Sequence, residues 1–304
     1  MQEFSSPNLK FIDCPDAQGT HRMAYWDWGK TDAEHVILCV HGLTRQGRDF
    51  DVLARALCAA NPNVRVVCPD VAGRGQSDWL KDPKTYAVPY YAADMVVLLN
   101  ALKPKTLDWV GTSMGGLIGL VIAGQPNLPL PCPVRKLVLN DVGPVLEWVS
   151  LVRIGQYLGQ YGRYENEEVA AQALWQIAKG FGPHTTEEWL ALTKPSLKPW
   201  IGPTTGLANG VTLRYDPAIA QAFAGATEET TKQGEAMLWA LYDGIKAQTL
   251  LVRGAESDLL SSSTATAMTQ RGPKAKLVEF AGVGHAPTFV ATNQSQVVVD
   301  FLLK

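Results

Sequence analysis

A serine lies at the centre of a glycine-rich stretch that follows a short apolar run. The stretch reads GTSMGG at positions 111–116, and the apolar run covers 107–110. This is the pattern G-x-S-x-G, in which a tight turn between a strand and a helix lifts the serine hydroxyl above a sheet. A serine hydroxyl is a weak nucleophile until a base takes its proton. The pattern therefore predicts Ser113 as a nucleophile and requires a histidine from elsewhere in the chain.

The histidine with the highest residue number is the best candidate for that base. His285 stands in the stretch FAGVGHAP at 280–287, where glycines favour a loop that can present an imidazole after a strand. His41 follows the apolar run Val36 to Val40 and is expected to be a structural hydrogen-bonding group in a turn at the end of a strand. The other three histidines fall in the N-terminal region, before a strand and in a later helical segment: His21, His35 and His184.

The base needs a carboxylate that orients it and stabilises its charged form. Asp258 follows the apolar run Leu250 to Val252, and we expect it to serve as this acid. Two rivals remain open at this stage, Glu256 in the same loop and Asp141 at the end of the run 137–140. The order nucleophile, acid, histidine places each group at the carboxyl end of a strand, where open α/β sheets bind their ligands.

Two backbone amides are predicted to stabilise the oxyanion that forms when a serine attacks a carbonyl. One belongs to Met114, the residue after the nucleophile. The other is assigned to Leu43, because the run ending at Val40 leads into a turn in which Gly42 permits close backbone approach.

Short apolar runs recur along the chain and predict buried strands at 36–40, 64–68, 107–110, 137–139, 250–252 and 277–280. Between the early runs lie segments that favour helices, at 51–60, 91–102 and 114–124. This alternation predicts the α/β class with a doubly wound, mostly parallel sheet.

The alternation stops between about 143 and 246, and we expect an inserted helical cap there. Helical patterns occur at 165–178 and at 218–223, and a loop rich in proline and glycine is predicted at 195–210. The predicted organisation is a core of residues 1–144 and 246–304 with a cap of residues 145–245.

Composition excludes several other classes of function. The 304 residues carry a formal net charge of −2, so the chain lacks the basic surface that nucleic acid or an anionic membrane would require. No apolar stretch reaches the roughly 20 residues of a membrane span, and no signal peptide is evident, so we expect a cytoplasmic protein. The five cysteines form an odd set without a C-x-x-C pair, and no metal or cofactor is predicted.

These motifs together resemble the α/β-hydrolase superfamily over about residues 20–145 and 245–304. The stretch PDVAGRGQSD at 69–78 is similar to a structural glycine loop of that family, and the turn after Val40 is similar to its oxyanion turn. The resemblance implies a triad of Ser113, Asp258 and His285. It also implies that the glycine loop is structural and does not bind phosphate.

A serine nucleophile favours acyl transfer over the displacement chemistry of relatives that use an aspartate at this position. Carbon–carbon hydrolases of the meta-cleavage type carry an aromatic residue after the histidine, whereas Ala286 stands here. We therefore predict a serine hydrolase that acts on carboxylic esters of small molecules. A carbon–carbon hydrolase, a lactonase and a non-catalytic ligand-binding member remain alternatives. Candidate residues of the substrate pocket are Arg45, Trp148, Trp200 and Arg214.

Overall fold

The chain begins with a long antiparallel hairpin that sequence reasoning missed. In this computed structural model, which describes residues 6–160, 162–202, 206 and 208–304, the strands are β1 (Asn8–Asp16) and β2 (Gly19–Gly29). Their registered pairing runs from Asn8 opposite Asp27 to Asp16 opposite Gly19. Only one face of β1 is well covered, so its residues alternate in burial and lack the continuous apolar pattern of the other strands.

The remaining strands of the central sheet match the predicted apolar runs. They are β3 (His35–Val40), β4 (Val64–Pro69), β5 (Thr106–Thr112), β6 (Val134–Asn140), β10 (Gln248–Gly254) and β11 (Lys276–Phe280). Within the described residues this sheet has the order β1-β2-β4-β3-β5-β6-β10-β11. The pairs from β4 through β11 are parallel, which confirms the predicted α/β fold class.

Helices cover both faces of the sheet. On one face α1 (Asp51–Ala60) packs against α10 (Thr292–Leu303), and the side chains of Ile37 and Cys39 point into this layer. On the other face lie α2 (Val88–Leu102), α3 (Met114–Gly124) and α9 (Ser262–Gln270). Alternate residues of β3 enter the two separate cores. A strand that is buried on both faces in this way must be apolar throughout.

The inserted segment contains five helices and three short strands among its described residues. The helices are α4 (Trp148–Tyr157), α5 (Glu167–Ala178), α6 (Thr186–Thr193), α7 (Ile219–Ala224) and α8 (Glu228–Gly244). The strands β7 (Arg163–Tyr164), β8 (Leu197–Ile201) and β9 (Ala208–Leu213) form an antiparallel sheet in the order β7-β9-β8.

Two expectations for this segment are corrected. The segment is not wholly helical, and much of the loop expected at 195–210 is strand; residues 203–205 and 207 lie outside the described residues. The strands β8 and β9 are partly exposed and contain proline and glycine, so they lack the apolar signature that identified the central strands. The helix α8, which falls within the predicted cap of residues 145–245, packs against α3. Among the described residues, no helix is long and apolar enough to cross a membrane.

Candidate active site

Ser113 occupies a sharp turn between β5 and α3. Its φ of +52° is in a region that residues with a side chain seldom adopt. Glycines on both sides let the turn form: a Cβ at Gly111 would collide with the backbone of Gly115, and a Cβ at Gly115 would collide with the carbonyl of Val40. The turn places the hydroxyl at the carboxyl end of the sheet and at the N-terminus of α3.

His285 reaches this hydroxyl from the loop after β11. The distance from its Nε2 to Oγ of Ser113 is 2.9 Å. The loop is fastened from the sheet, because Nδ2 of Asn140 donates to the carbonyl of Pro287 at 2.7 Å and to Oγ1 of Thr112 at 3.0 Å. One side chain thus ties the histidine loop to the strand that leads into the serine turn.

The histidine loop is also held from the cap. The amide of Gly284 donates to the carbonyl of Gly180 at 2.6 Å. A second contact joins Nε2 of His184 to Oγ1 of Thr288 at 2.8 Å. Both partners on the cap side lie in the segment between α5 and α6.

The carboxylate against His285 belongs to Asp141, not to Asp258. Oδ2 of Asp141 lies 2.7 Å from Nδ1 of His285. Asp141 is fully buried and accepts two further hydrogen bonds, from the amide of Gly254 at 2.9 Å and from Oγ of Ser257 at 2.6 Å. Since its carboxylate accepts at Nδ1, the Nδ1 proton points to Asp141 and Nε2 accepts from the serine hydroxyl.

Asp258, the expected acid, points instead to the cap. It forms a bidentate ion pair with Arg153 of α4, with Nε–Oδ2 and Nη2–Oδ1 distances of 2.7 and 2.9 Å. Burial alone would raise the pKa of Asp258, but the hydrogen bonds and charge of Arg153 hold it below its ordinary value. The reason for the correction is position: Asp141 follows directly on β6, which is paired with the serine strand, whereas the loop after β10 carries Asp258 outward. The other rival, Glu256, is exposed.

The turn after β3 lies against the serine. A Cβ built on Gly42 would be 3.7 Å from Cβ of Ser113, so the backbone that leads to Leu43 passes beside the hydroxyl. Arg74 fixes this turn, because its Nε donates to the carbonyl of Leu43 at 2.7 Å. Sequence reasoning did not single out Arg74, although it stands in the glycine loop at 69–78 and is fully buried.

Two buried titratable side chains hold the surrounding loops. His41 donates from Nδ1 to the carbonyl of Gly42 at 2.7 Å, and its Nε2 accepts from the amide of Val71 at 2.9 Å. Burial lowers the pKa of His41 to about 3, which keeps it neutral. Asp70 accepts from the amides of Gly47 and Gln76, and burial raises its pKa to about 6.

Two cavities meet at Ser113. We call the first the His-side cavity: it has a volume of about 110 Å³ and is lined by His285, Arg45, and the cap residues Arg153, Tyr157 and Phe181. The second, the helix-side cavity, has a volume of about 170 Å³ and is lined by apolar and aromatic residues that include Tyr91, Met114, Leu117, Val142 and Phe223. Leu43 and Ile154 border both, so the serine stands between two compartments of different chemistry.

Of the four residues expected to line the pocket, Arg45 does so. Its guanidinium is held by Asp49 and by the carbonyl of Leu192. Trp148, Trp200 and Arg214 do not line either cavity in the part of the chain that the structure describes. Arg214 instead donates to the carbonyl of Leu197. The lining from the inserted segment comes from α4 and α5 and from single residues of later parts of the segment, Phe181, Trp189 and Phe223, and no local pattern specifies their positions relative to the serine.

One buried group elsewhere contains side chains of the kind that bind metals. Cys14, His21 and Asp94 each direct one potential ligand atom into a region in which these atoms lie within 4.8 Å of one another. His21 already contacts Asp94 at 3.0 Å and Asp16 at 3.4 Å. The hydrogen bond with Asp94, opposed by burial, and the contact with Asp16 together raise the pKa of His21 above its ordinary value.

The sequence places this chain among known proteins. A model of the alpha/beta hydrolase family matches residues 37–301. The chain is an α/β-hydrolase. It is 48% identical over 297 residues to the 3-hydroxybutyrate-oligomer hydrolase of Cupriavidus necator, a match that covers 98% of each protein.

Solved structures share the whole architecture. An alpha/beta hydrolase from Novosphingobium aromaticivorans is 30% identical and superposes with a TM-score of 0.81, covering 98% of this chain and 99% of that one. A protein from Rickettsia typhi is 28% identical with a TM-score of 0.84 and the same coverage. The similarity therefore extends through the inserted segment as well as the core.

Proposed function

We propose that this α/β-hydrolase cleaves ester bonds in short oligomers of 3-hydroxybutyrate or a closely similar hydroxy acid. The observation that carries the proposal is the 48% identity, over nearly the full length of both chains, to a hydrolase of 3-hydroxybutyrate oligomers. The site is compatible with such a substrate, since it offers a serine with a histidine at hydrogen-bond distance and two compartments that meet at the serine.

Ser113 attacks the ester carbonyl in the first half of the proposed reaction. His285 takes the hydroxyl proton at Nε2, and the buried carboxylate of Asp141 stabilises the imidazolium through Nδ1–H. The amides of Leu43 and Met114 stabilise the negative charge that develops on the carbonyl oxygen. The acyl carbon–oxygen bond then breaks, His285 returns its proton to the departing alcohol oxygen, and the acyl group remains on Oγ of Ser113.

Water completes the reaction in the second half. His285 takes a proton from a water molecule, whose oxygen attacks the acyl carbon of the Ser113 ester. The bond to Oγ breaks, the proton on Nε2 passes to the serine, and a carboxylic acid leaves. The net result is one ester and one water converted to one alcohol and one acid.

A decisive experiment uses purified protein with the linear dimer and trimer of 3-hydroxybutyrate, p-nitrophenyl butyrate and a ring-fission diketone. We expect release of 3-hydroxybutyrate from the oligomers, measured by chromatography. Ser113→Ala should lower the rate by about 10⁴-fold or more, because the nucleophile is removed while the glycines that permit the turn remain. Turnover of the diketone faster than of every ester would contradict the proposal, and so would a Ser113→Ala variant that keeps most of the activity.

A further inference from the structure

The two cavities at Ser113 can be assigned to the two halves of an ester by the direction of proton transfer. The alcohol oxygen that leaves must receive its proton from Nε2 of His285, so the leaving group must lie on the side of the imidazole. His285 lines the His-side cavity but not the helix-side cavity. The leaving alcohol therefore belongs in the His-side cavity, and the acyl chain belongs in the helix-side cavity beside Met114.

The two compartments differ in charge. The residues described around the helix-side cavity include no charged side chain, which suits an acyl chain. Two guanidinium groups line the His-side cavity, those of Arg45 and Arg153. Among the described residues that line the two cavities, the cationic partners for an anionic leaving group therefore lie on this second side.

Of these two arginines, Arg153 is the one that a ligand can reach. The Arg45 side chain is only 15% exposed, and its Nε and Nη2 already donate to Asp49 and to the carbonyl of Leu192. Arg153 is 39% exposed, and Asp258 takes hydrogen bonds from its Nε and Nη2. Tyr157 is a further hydrogen-bond partner of Arg153, so a substrate carboxylate would reach this guanidinium by replacing the phenol or by displacing Asp258.

The charges around Arg153 leave room for a substrate anion. Asp258 is itself 41% exposed and is not among the described residues that line the His-side cavity, so its side chain can turn toward solvent when a second carboxylate arrives. Asp141 is buried and already bound to three donors. His285 becomes cationic during the reaction, so a carboxylate between it and Arg153 gains from both.

We propose that Arg153 binds the free carboxylate of the departing hydroxy acid, so that the enzyme removes the unit at the carboxyl end of an oligomer. This inference rests on the proposed function and adds to it which end of the substrate oligomer is cleaved. In the dimer of 3-hydroxybutyrate, the leaving group is the 3-hydroxybutyrate that carries the free carboxylate. Cleavage gives it a hydroxyl proton from His285, and its carboxylate stays ionised throughout.

The test compares the dimer with its methyl ester, which has the same scissile bond but no anion. The wild-type protein should have a value of kcat/KM for the free acid about 10- to 100-fold above that for the methyl ester, as expected for a charged hydrogen-bonded pair. In Arg153→Met this ratio should fall to near one. Arg153→Lys should keep part of the preference, because it retains the charge but loses the planar fork. A ratio is independent of the fraction of folded protein.

Two further variants complete the design. Arg271→Met removes another half-exposed guanidinium that pairs with an aspartate, Asp243, and is not among the described residues that line either cavity, so it should leave the ratio unchanged. Asp258→Asn removes the competitor of the substrate and should hold the ratio at or above the wild-type value. A wild-type ratio of one, or a ratio that survives Arg153→Met, would overturn the inference while the proposed function stands. If the protein hydrolyses p-nitrophenyl butyrate but neither form of the dimer, the proposed function itself fails.

Discussion

Asp141 and Asp258 are two carboxylates near one histidine, and their surroundings separate their roles. Asp141 has no exposed surface, and amide, hydroxyl and imidazole donors surround it. Asp258 shares its charge with Arg153 at a partly exposed position. An orienting acid must stay fixed beside the imidazole, and of the two carboxylates it is Asp141 that lies at Nδ1 of His285.

The different surroundings of the two carboxylates therefore predict losses of very different size for the same substitution. Asp141→Asn should lower kcat by about 10⁴-fold, because the amide favours the wrong tautomer of His285 and cannot stabilise its cation. Asp258→Asn should lower kcat on p-nitrophenyl butyrate by less than about tenfold. Steady-state kinetics of the two purified variants, with circular dichroism to verify folding, check this. A severe loss in Asp258→Asn beside a nearly normal Asp141→Asn would contradict the assignment.

At the scale of elements, the serine turn depends on the close approach of α3 to β3. Gly115 is the first-turn residue of α3 at which any side chain would overlap the carbonyl of Val40. Gly234 offers a matched control inside a helix, because a Cβ there meets nothing within 4 Å.

Gly115→Ala should destabilise the protein by about 3 kcal/mol, because helix and strand must move apart. Gly234→Ala should stabilise it by about 0.5–1 kcal/mol, since alanine loses less backbone freedom on forming a helix. Urea denaturation of both variants and the wild type measures the two changes. Equal effects at the two positions would show that the contact with Val40 does not constrain the turn.

The elements themselves were largely predictable. The helices at 51–60 and 114–124 begin and end where the sequence predicts. The continuous apolar strands and glycine-rich turns along the chain leave strong local signals that mark where helices can begin and end. The hairpin of β1 and β2 and the sheet of the inserted segment were missed, because half-exposed antiparallel strands resemble loops in composition.

The candidate site was predictable only where a local pattern defines it. Ser113 and His285 have glycine neighbours that mark them, and the structure brings the two side chains together. The choice between Asp141 and Asp258 depends on which strand adjoins the serine strand, which is a property of sheet order and not of spacing along the chain. The contribution of Arg153 depends on how the cap sits over the core, which no motif encodes.

At the scale of the whole molecule, His41 links folding to pH. Its pKa of about 3 in the folded state lies below the ordinary value of 6.5, because the protonated ring would be buried and would lose the hydrogen bond from Val71. At a pH between these two values, His41 therefore binds a proton in the unfolded chain but not in the folded chain. The resulting stability is fully present above about pH 6.5 and is lost as the pH falls toward 3.

His41→Gln should make the free energy of unfolding less dependent on pH in the acidic range. Between pH 7.5 and pH 5 the wild type should lose about 2 kcal/mol more than the variant, because glutamine does not titrate. The comparison is made between the two proteins because Asp70, with its raised pKa of about 6, acts in the opposite direction between about pH 6 and pH 4. Urea denaturation at several pH values measures both slopes. Parallel slopes would contradict the assignment to His41.

The contacts from the cap to the histidine loop, through Gly180 and His184, have a consequence for engineering. A graft that replaced the insertion with one from another α/β-hydrolase would remove these two supports together with the walls of the site. We therefore expect chimeras to change turnover as well as selectivity, unless residues 179–185 are transplanted or restored as a unit with 284–288. In this protein, the inserted segment is therefore expected to support catalysis as well as to set selectivity.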